Sequence, residues 1–149
     1  EISFEPGRYL IARAGILVTK ILTSKQNGGV HYLITDAGMQ TLIRPALYNT
    51  VHHVTALINN SKHHEVYTVA GPICESSDII AKDISLPTQQ MGNHLVIHDA
   101  GAYGAVMASN YNSRGFPVEI LIDKEKYFVI HQPEKITDII KRDHIPDWL

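Results

Sequence analysis

Short runs of β-branched and aliphatic residues, each closed by turn formers, commit most of this chain to sheet. Ile16-Leu17-Val18-Thr19-Lys20-Ile21-Leu22-Thr23 is followed by Gln26-Asn27-Gly28-Gly29 and then by Val30 to Thr35. Strand, glycine-rich turn and strand in that order predict a hairpin. His53 to Ile58 and His64 to Ala70 flank a second turn, Asn59-Asn60-Ser61-Lys62. Ile79 to Leu86 is ended by Pro87, and Gly92-Asn93 leads into His94 to His98. Val118 to Asp123 and Tyr127 to Ile130 flank Lys124-Glu125-Lys126 as a last hairpin. Ile2-Ser3-Phe4 reads as the tail of a further strand. Helix is confined to short pieces: Tyr9 to Gly15, a brief excursion over Thr41 to Tyr48, and Glu134 to Arg142. In the last, Ile136, Ile139 and Ile140 fall at i, i+3 and i+4 behind Pro133. The strand count predicts a mainly β architecture.

Several classes of function are excluded by composition. The 149 residues, 44% hydrophobic, can build one core. A net charge of -2 without a clustered basic excess does not make a nucleic-acid surface. A single cysteine rules out an intramolecular disulfide and suits a reducing, cytoplasmic compartment. No apolar run approaches the ~20 residues of a membrane span. The first residues, Glu1-Ile2-Ser3-Phe4, carry neither an initiator Met nor a basic leader, so the chain is expected to be cut from something longer. His52-His53 and His63-His64 invite a metal, but neighbours on a strand point to opposite faces and cannot readily chelate together. His94 and His98 suit chelation only on a helix, and Leu95-Val96-Ile97 between them argues for a strand. No metal site is expected.

Four stretches can carry chemistry. Gly71-Pro72-Ile73-Cys74-Glu75-Ser76-Ser77-Asp78 holds the only cysteine. Gly71-Pro72 sets Cys74 where a strand ends and the chain turns, among polar neighbours. On residue type alone, a buried thiol is as good a reading as a reactive one. Glu5-Pro6-Gly7-Arg8 combines a fixed φ, a glycine that lets backbone approach a ligand, and a forked cation; by spacing alone it is a turn with a surface Arg. Arg44-Pro45-Ala46-Leu47-Tyr48 puts Arg44 and Tyr48 four apart, on one face if Pro45 starts a helical turn. The pair reads either as a solvated Arg beside a packed Tyr or as a carboxylate site, with two parallel bonds from Arg and a hydroxyl from Tyr. Asp99-Ala100-Gly101-Ala102-Tyr103-Gly104 surrounds one aromatic with small residues, leaving room for a bulky ligand or simply packing a Tyr in a loop.

Taken together, these stretches resemble diaminopimelate decarboxylases, pyridoxal-phosphate enzymes of the alanine-racemase-like fold type. The octet at Cys74 is similar to their Gly-Pro-x-Cys-Glu-Ser-x-Asp. Glu5-Pro6-Gly7-Arg8, Arg44-Pro45-x-Leu47-Tyr48 and the segment at Tyr103 follow in family order, and Asn110-Tyr111-Asn112-Ser113-Arg114 resembles the family too. The likeness runs from about Phe4 to about Arg142. It implies that residues 1-15 end an N-terminal (β/α)8 barrel and that 16-149 form a C-terminal Greek-key-like β-barrel or sandwich with short helices.

The resemblance also implies roles. Glu5 would face the pyridine nitrogen of pyridoxal 5'-phosphate, with Pro6, Gly7, Arg8 and Tyr103 around the cofactor. Arg8 would meet either phosphate or a substrate carboxylate, and Tyr103 would touch both cofactor and substrate. Arg44, Tyr48 and Glu75 would bind the distal end of an amino-acid substrate, and Cys74 would protonate the decarboxylated intermediate. In the family, Cys74 and Glu75 enter the active site of the partner subunit of a homodimer. None of the lysines lies in a stretch resembling the family's cofactor-binding Lys, so the chain alone is expected to be inactive. Ornithine decarboxylases carry Asp after the Cys and need no Arg at position 44, so Glu75 and Arg44 favour diaminopimelate. The rival readings are a sister decarboxylase acting on ornithine, arginine or carboxynorspermidine, and a non-catalytic regulatory or interaction module.

Overall fold

A computed structural model describes residues 1-58 and 61-149. They form two compact units, Glu1–Ala108 and Ser109–Leu149. Among the described residues no helix is long and apolar enough to cross a membrane.

In the first unit, six strands build one sheet: β1 (Leu17–Asn27), β2 (Val30–Thr35), β3 (Val54–Ala56), β4 (His64–Ala70), β5 (Ile79–Pro87) and β6 (His94–Ile97). Their order is β3-β6-β1-β2-β4-β5. The sequence order is scrambled because β6 returns along the free side of β1, in the manner of a Greek key. All pairings are antiparallel except β2 with β4. That parallel pair needs a crossover, and the segment containing α2 (Arg44–Tyr48) and β3 supplies it. The edge strands β3 and β5 approach each other, so the sheet curls to a nearly closed barrel.

The β1–β2 hairpin turns on Gly28 and Gly29, at φ 57° and 80°. A tight two-residue turn with positive φ at both positions strongly favours glycine there. Thr19 and Ile21 on β1 are buried, but a register shift follows between Ile21 and Thr23, and from Leu22 onward β1 buries nothing. The core inside the curl is Ile21, Leu33, Leu42, Val54, Tyr67, Val69, Ile80, Leu86, Leu95 and Ile97. Tyr67 brings a hydroxyl into this apolar interior, and the Gln89 amide donates to it at 3.0 Å. Burial pushes that hydroxyl above its ordinary pKa.

The sheet ends at Asp36 for a reason that can be named. The Thr19 hydroxyl and the Lys20 amide donate to Asp36 Oδ1 at 2.5 and 2.9 Å, and the Ala37 amide donates to Thr19 Oγ1 at 3.0 Å. These bonds turn the chain off β2 and towards Gly38.

α1 (Gly7–Ile11) continues into a 3-10 turn over Ala12–Ala14, with Gly15 as its cap, close to the helix expected over 9-15. Ile2-Ser3-Phe4 forms no strand; no other strand pairs with it, and strand character in sequence is not enough without a ladder partner. The strand expected from His53 shortens to β3, because β6, its ladder partner among the described residues, is itself four residues long. The turn expected at Asn59-Asn60-Ser61-Lys62 lies partly outside the described residues.

The second unit is a hairpin of β7 (Glu119–Asp123) and β8 (Lys126–His131), followed by α3 (Ile136–Ile139) and a 3-10 turn over Ile140–Arg142. The helix begins three residues after Pro133 because the Asp138 carboxylate accepts the Lys135 amide at 2.9 Å and so defines the first turn. Glu134 ties the loop before the hairpin to this region: Asn110 Nδ2 and the Phe116 amide donate to Glu134 Oε2 at 2.5 and 3.1 Å.

Candidate active site

Arg44 and Tyr48 sit at the two ends of α2, one helical turn apart, with Pro45 in the first turn where a missing N–H costs nothing. The helix stops at Asn49, which adopts the left-handed conformation. Arg44 is 8% exposed, yet it has no salt bridge among the described residues. Its guanidinium carbon lies 5.4 Å from the centre of the Tyr48 ring and 5.6 Å from that of Tyr103. Two aromatic faces hold the cation by its stem and plane, and both rings keep roughly half their surface open.

Tyr103 is itself held in an unusual way. Its φ is 59°, in the left-handed region that a bulky residue adopts only under constraint. Strain of this kind gathers at functional sites. Its hydroxyl stands over Gly7: a Cβ there would come within 3.5 Å of it. The Glu5-Pro6-Gly7-Arg8 stretch, through Gly7, and the Arg44 pair are therefore joined by one side chain. Glu5 and Arg8 are exposed, and neither has a salt bridge among the described residues. An exposed Arg beside a phenol and a glycine suits a phosphate or carboxylate ligand, so these residues fit an anionic cofactor.

Cys74 follows the end of β4 and is exposed, which decides against the buried thiol that its residue type left open. Its loop is short and tightly tied. The Gly71 amide donates to Asp78 O and the Asp78 amide to Glu75 O, both at 3.0 Å. A pocket of about 350 Å³ between α2 and β5 is lined by Pro45, Ala46, Asn49, His52, Ser76 and Ser77 among others. Arg44, Tyr48, Cys74 and Glu75 are not among its walls. Among the described residues, no three His, Cys, Asp or Glu side chains gather as metal ligands. His52 is buried, bonded through Nδ1 to the His98 carbonyl at 2.9 Å, while His53 is exposed and its ring meets that of His98 at 5.1 Å.

Residues 8–101 match the family described as the pyridoxal-dependent decarboxylase C-terminal sheet domain. The chain belongs to this family. Diaminopimelate decarboxylase of Archaeoglobus fulgidus is 40% identical over 151 residues, covering 100% of this chain and 36% of that protein. The enzyme of that name from Escherichia coli K12 is 40% identical over 152 residues, covering 94% of this chain and 36% of that protein. The crystal structure of diaminopimelate decarboxylase from M. jannaschii in co-complex with L-lysine is similar at a TM-score of 0.92 and 39% identity, covering 96% of this chain and 33% of that one. The decarboxylase sheet domain described here thus spans about a third of the length of these relatives.

Two features of this decarboxylase domain escape residue-by-residue reading. One is the strained backbone of Tyr103, for which the sequence offers only the small neighbours Ala102 and Gly104. The other is Asp78, read from the sequence only as the acid closing the cysteine stretch. It is 2% exposed.

Proposed function

We propose that this chain is the C-terminal part of a pyridoxal-phosphate-dependent decarboxylase that converts meso-2,6-diaminopimelate to L-lysine and CO2. The observation that carries the reading is Arg44, nearly buried, without a salt bridge among the described residues, and framed by Tyr48 and Tyr103. A cation held in this way is set for a ligand carboxylate. Only a substrate with a carboxylate at its far end needs one there, which ornithine lacks. The similarity to proteins named diaminopimelate decarboxylase supports the same substrate.

Pyridoxal phosphate, when bound, withdraws the electrons left behind as CO2 departs. Glu5, Pro6, Gly7, Arg8 and Tyr103 are the residues of this chain that would hold it, Glu5 by keeping a negative charge beside the ring nitrogen. Arg44 would grip the distal carboxylate with two parallel bonds, and Tyr48 and Glu75 would bind the rest of that amino-acid end. Cys74 would deliver a proton to the carbon that lost CO2. A homodimer in which one subunit lends the exposed Cys74 and Glu75 to its partner, as the family resemblance implies, would complete the site. A cytoplasmic setting suits the free thiol.

The test is decarboxylation by the full-length protein with added cofactor, offered meso-diaminopimelate, ornithine and arginine. Release of CO2 and lysine from diaminopimelate alone is expected. Turnover of ornithine or arginine in its place would overturn the assignment.

A further inference from the structure

Asp78 carries a carboxylate in a place where carboxylates are expensive. The side chain is 2% exposed, and an unpaired charge there would pull the fold apart. Each of its oxygens instead accepts a backbone amide. Oδ2 accepts the Ile73 amide at 2.8 Å, one residue before Cys74, and Oδ1 accepts the Met39 amide at 2.6 Å. The first bond lies within the cysteine loop. The second reaches the segment that runs from the end of β2 into α2. One buried carboxylate therefore fastens the loop bearing Cys74 and Glu75 to the chain that leads to Arg44 and Tyr48.

Two glycines make room for it. A Cβ on Gly38 would lie 2.6 Å from Asp78 Oδ1, and one on Gly71 would collide with both carboxylate oxygens and with the Gly38 backbone. Neither glycine has a positive φ, so backbone freedom does not explain them; space for this carboxylate does. Leu42 and Thr41 amides then close a turn on the Gly38 carbonyl, each at 2.9 Å, which carries the constraint forward towards α2.

We propose that Asp78 is the positioning residue of the site, a latch that sets the Cys74–Glu75 loop in fixed relation to the Arg44 helix. This deepens the proposed function and rests on it for its catalytic consequence. The structural half stands alone: without the carboxylate, the Ile73 and Met39 amides lose a charged acceptor, and the cysteine loop opens locally while the sheet stays closed.

The two halves are tested separately. In this chain, backbone hydrogen exchange is followed by NMR for wild type and Asp78→Asn. Charged hydrogen bonds of this kind are strong enough that protection at Ile73 and Met39 should fall about ten- to a hundredfold, with Leu33 and Val69 unchanged. Unchanged protection at Ile73 and Met39 overturns the latch. If Asp78→Asn does not fold, Gly38→Ala serves, because it crowds the carboxylate without removing it, and the same two amides should respond. In full-length protein that decarboxylates diaminopimelate, Asp78→Asn should lower kcat at least about tenfold, by analogy with misplaced catalytic groups, while leaving cofactor affinity intact. Loosened amides with unaltered kcat overturn the positioning role. Wild-type protein with no decarboxylase activity overturns the proposed function instead, and leaves the exchange result standing.

Discussion

The Arg44 guanidinium lies 5.6 Å from the Tyr103 ring although the two residues come from different segments, one from α2 and the other from the strained loop after β6. Tyr48 completes the frame from the far end of α2. The cation is thereby held nearly buried and stacked on two rings, with no salt bridge among the described residues, which is the arrangement the proposed substrate choice rests on.

Replacing Arg44 by Lys in the full-length protein keeps the charge and loses the planar fork and its stacking on two rings. Loss of charged hydrogen bonds at this level predicts a fall of roughly ten- to a hundredfold in kcat/KM for diaminopimelate. Cofactor affinity should hold. Steady-state kinetics with a parallel cofactor titration decides it; equal loss in both, or loss in neither, removes Arg44 from the distal carboxylate.

Cys74→Ala should cut turnover by roughly a hundredfold or more, the usual scale for loss of a positioned acid, with the cofactor still bound by its absorbance. The shared-site arrangement adds a sharper expectation. Mixing full-length Cys74→Ala subunits with subunits lacking the barrel lysine should restore part of the activity, since one site of each mixed dimer regains both groups. Demonstrated subunit exchange with no recovered turnover would contradict sharing across the dimer.

The 149-residue chain by itself should release no CO2 from diaminopimelate at any cofactor concentration, because covalent capture of an aldehyde requires a positioned lysine amine. The eight lysines are Lys20, Lys25, Lys62, Lys82, Lys124, Lys126, Lys135 and Lys141, and none lies in a stretch resembling the family's cofactor-binding site. A lysine-dependent absorbance band with turnover would refute this.

Stability should depend on alkaline pH through Tyr67. Its hydroxyl is raised above 10.0 chiefly by burial, so the folded state holds the proton more tightly than the unfolded one. That contribution is fully present below the unfolded value, near 10.0, and is lost as pH rises through the folded value. Tyr67→Phe should flatten this alkaline limb. It should also cost about 1–3 kcal/mol at neutral pH, because the Gln89 amide loses its buried acceptor. Urea unfolding of both proteins between neutral pH and pH 11 measures the two effects together.

Much of the sheet was legible in the sequence because its signals are local. Gly28-Gly29 could only be a turn between the β-branched runs on either side, and Pro87 ended β5 where expected. Ile2-Ser3-Phe4 misled for the opposite reason: strand propensity is local, but a strand exists only when a neighbour supplies its hydrogen bonds. The parallel pairing of β2 with β4 was likewise invisible, since nothing in either segment names its partner.

The sequence by itself determined which chemical groups this protein owns: one thiol followed by a glutamate, an Arg and a Tyr one helical turn apart, and a Tyr among small residues. Spacing within a segment settles such things, because backbone geometry repeats over a few residues. Only the tertiary structure decided that Tyr103 meets Arg44 and Gly7, that Cys74 is exposed, and that Asp78 is buried against Gly38 and Gly71. Those contacts arise from the curl of a sheet whose strand order is scrambled relative to the chain, so residues remote in sequence are packed together by a topology that no local pattern encodes.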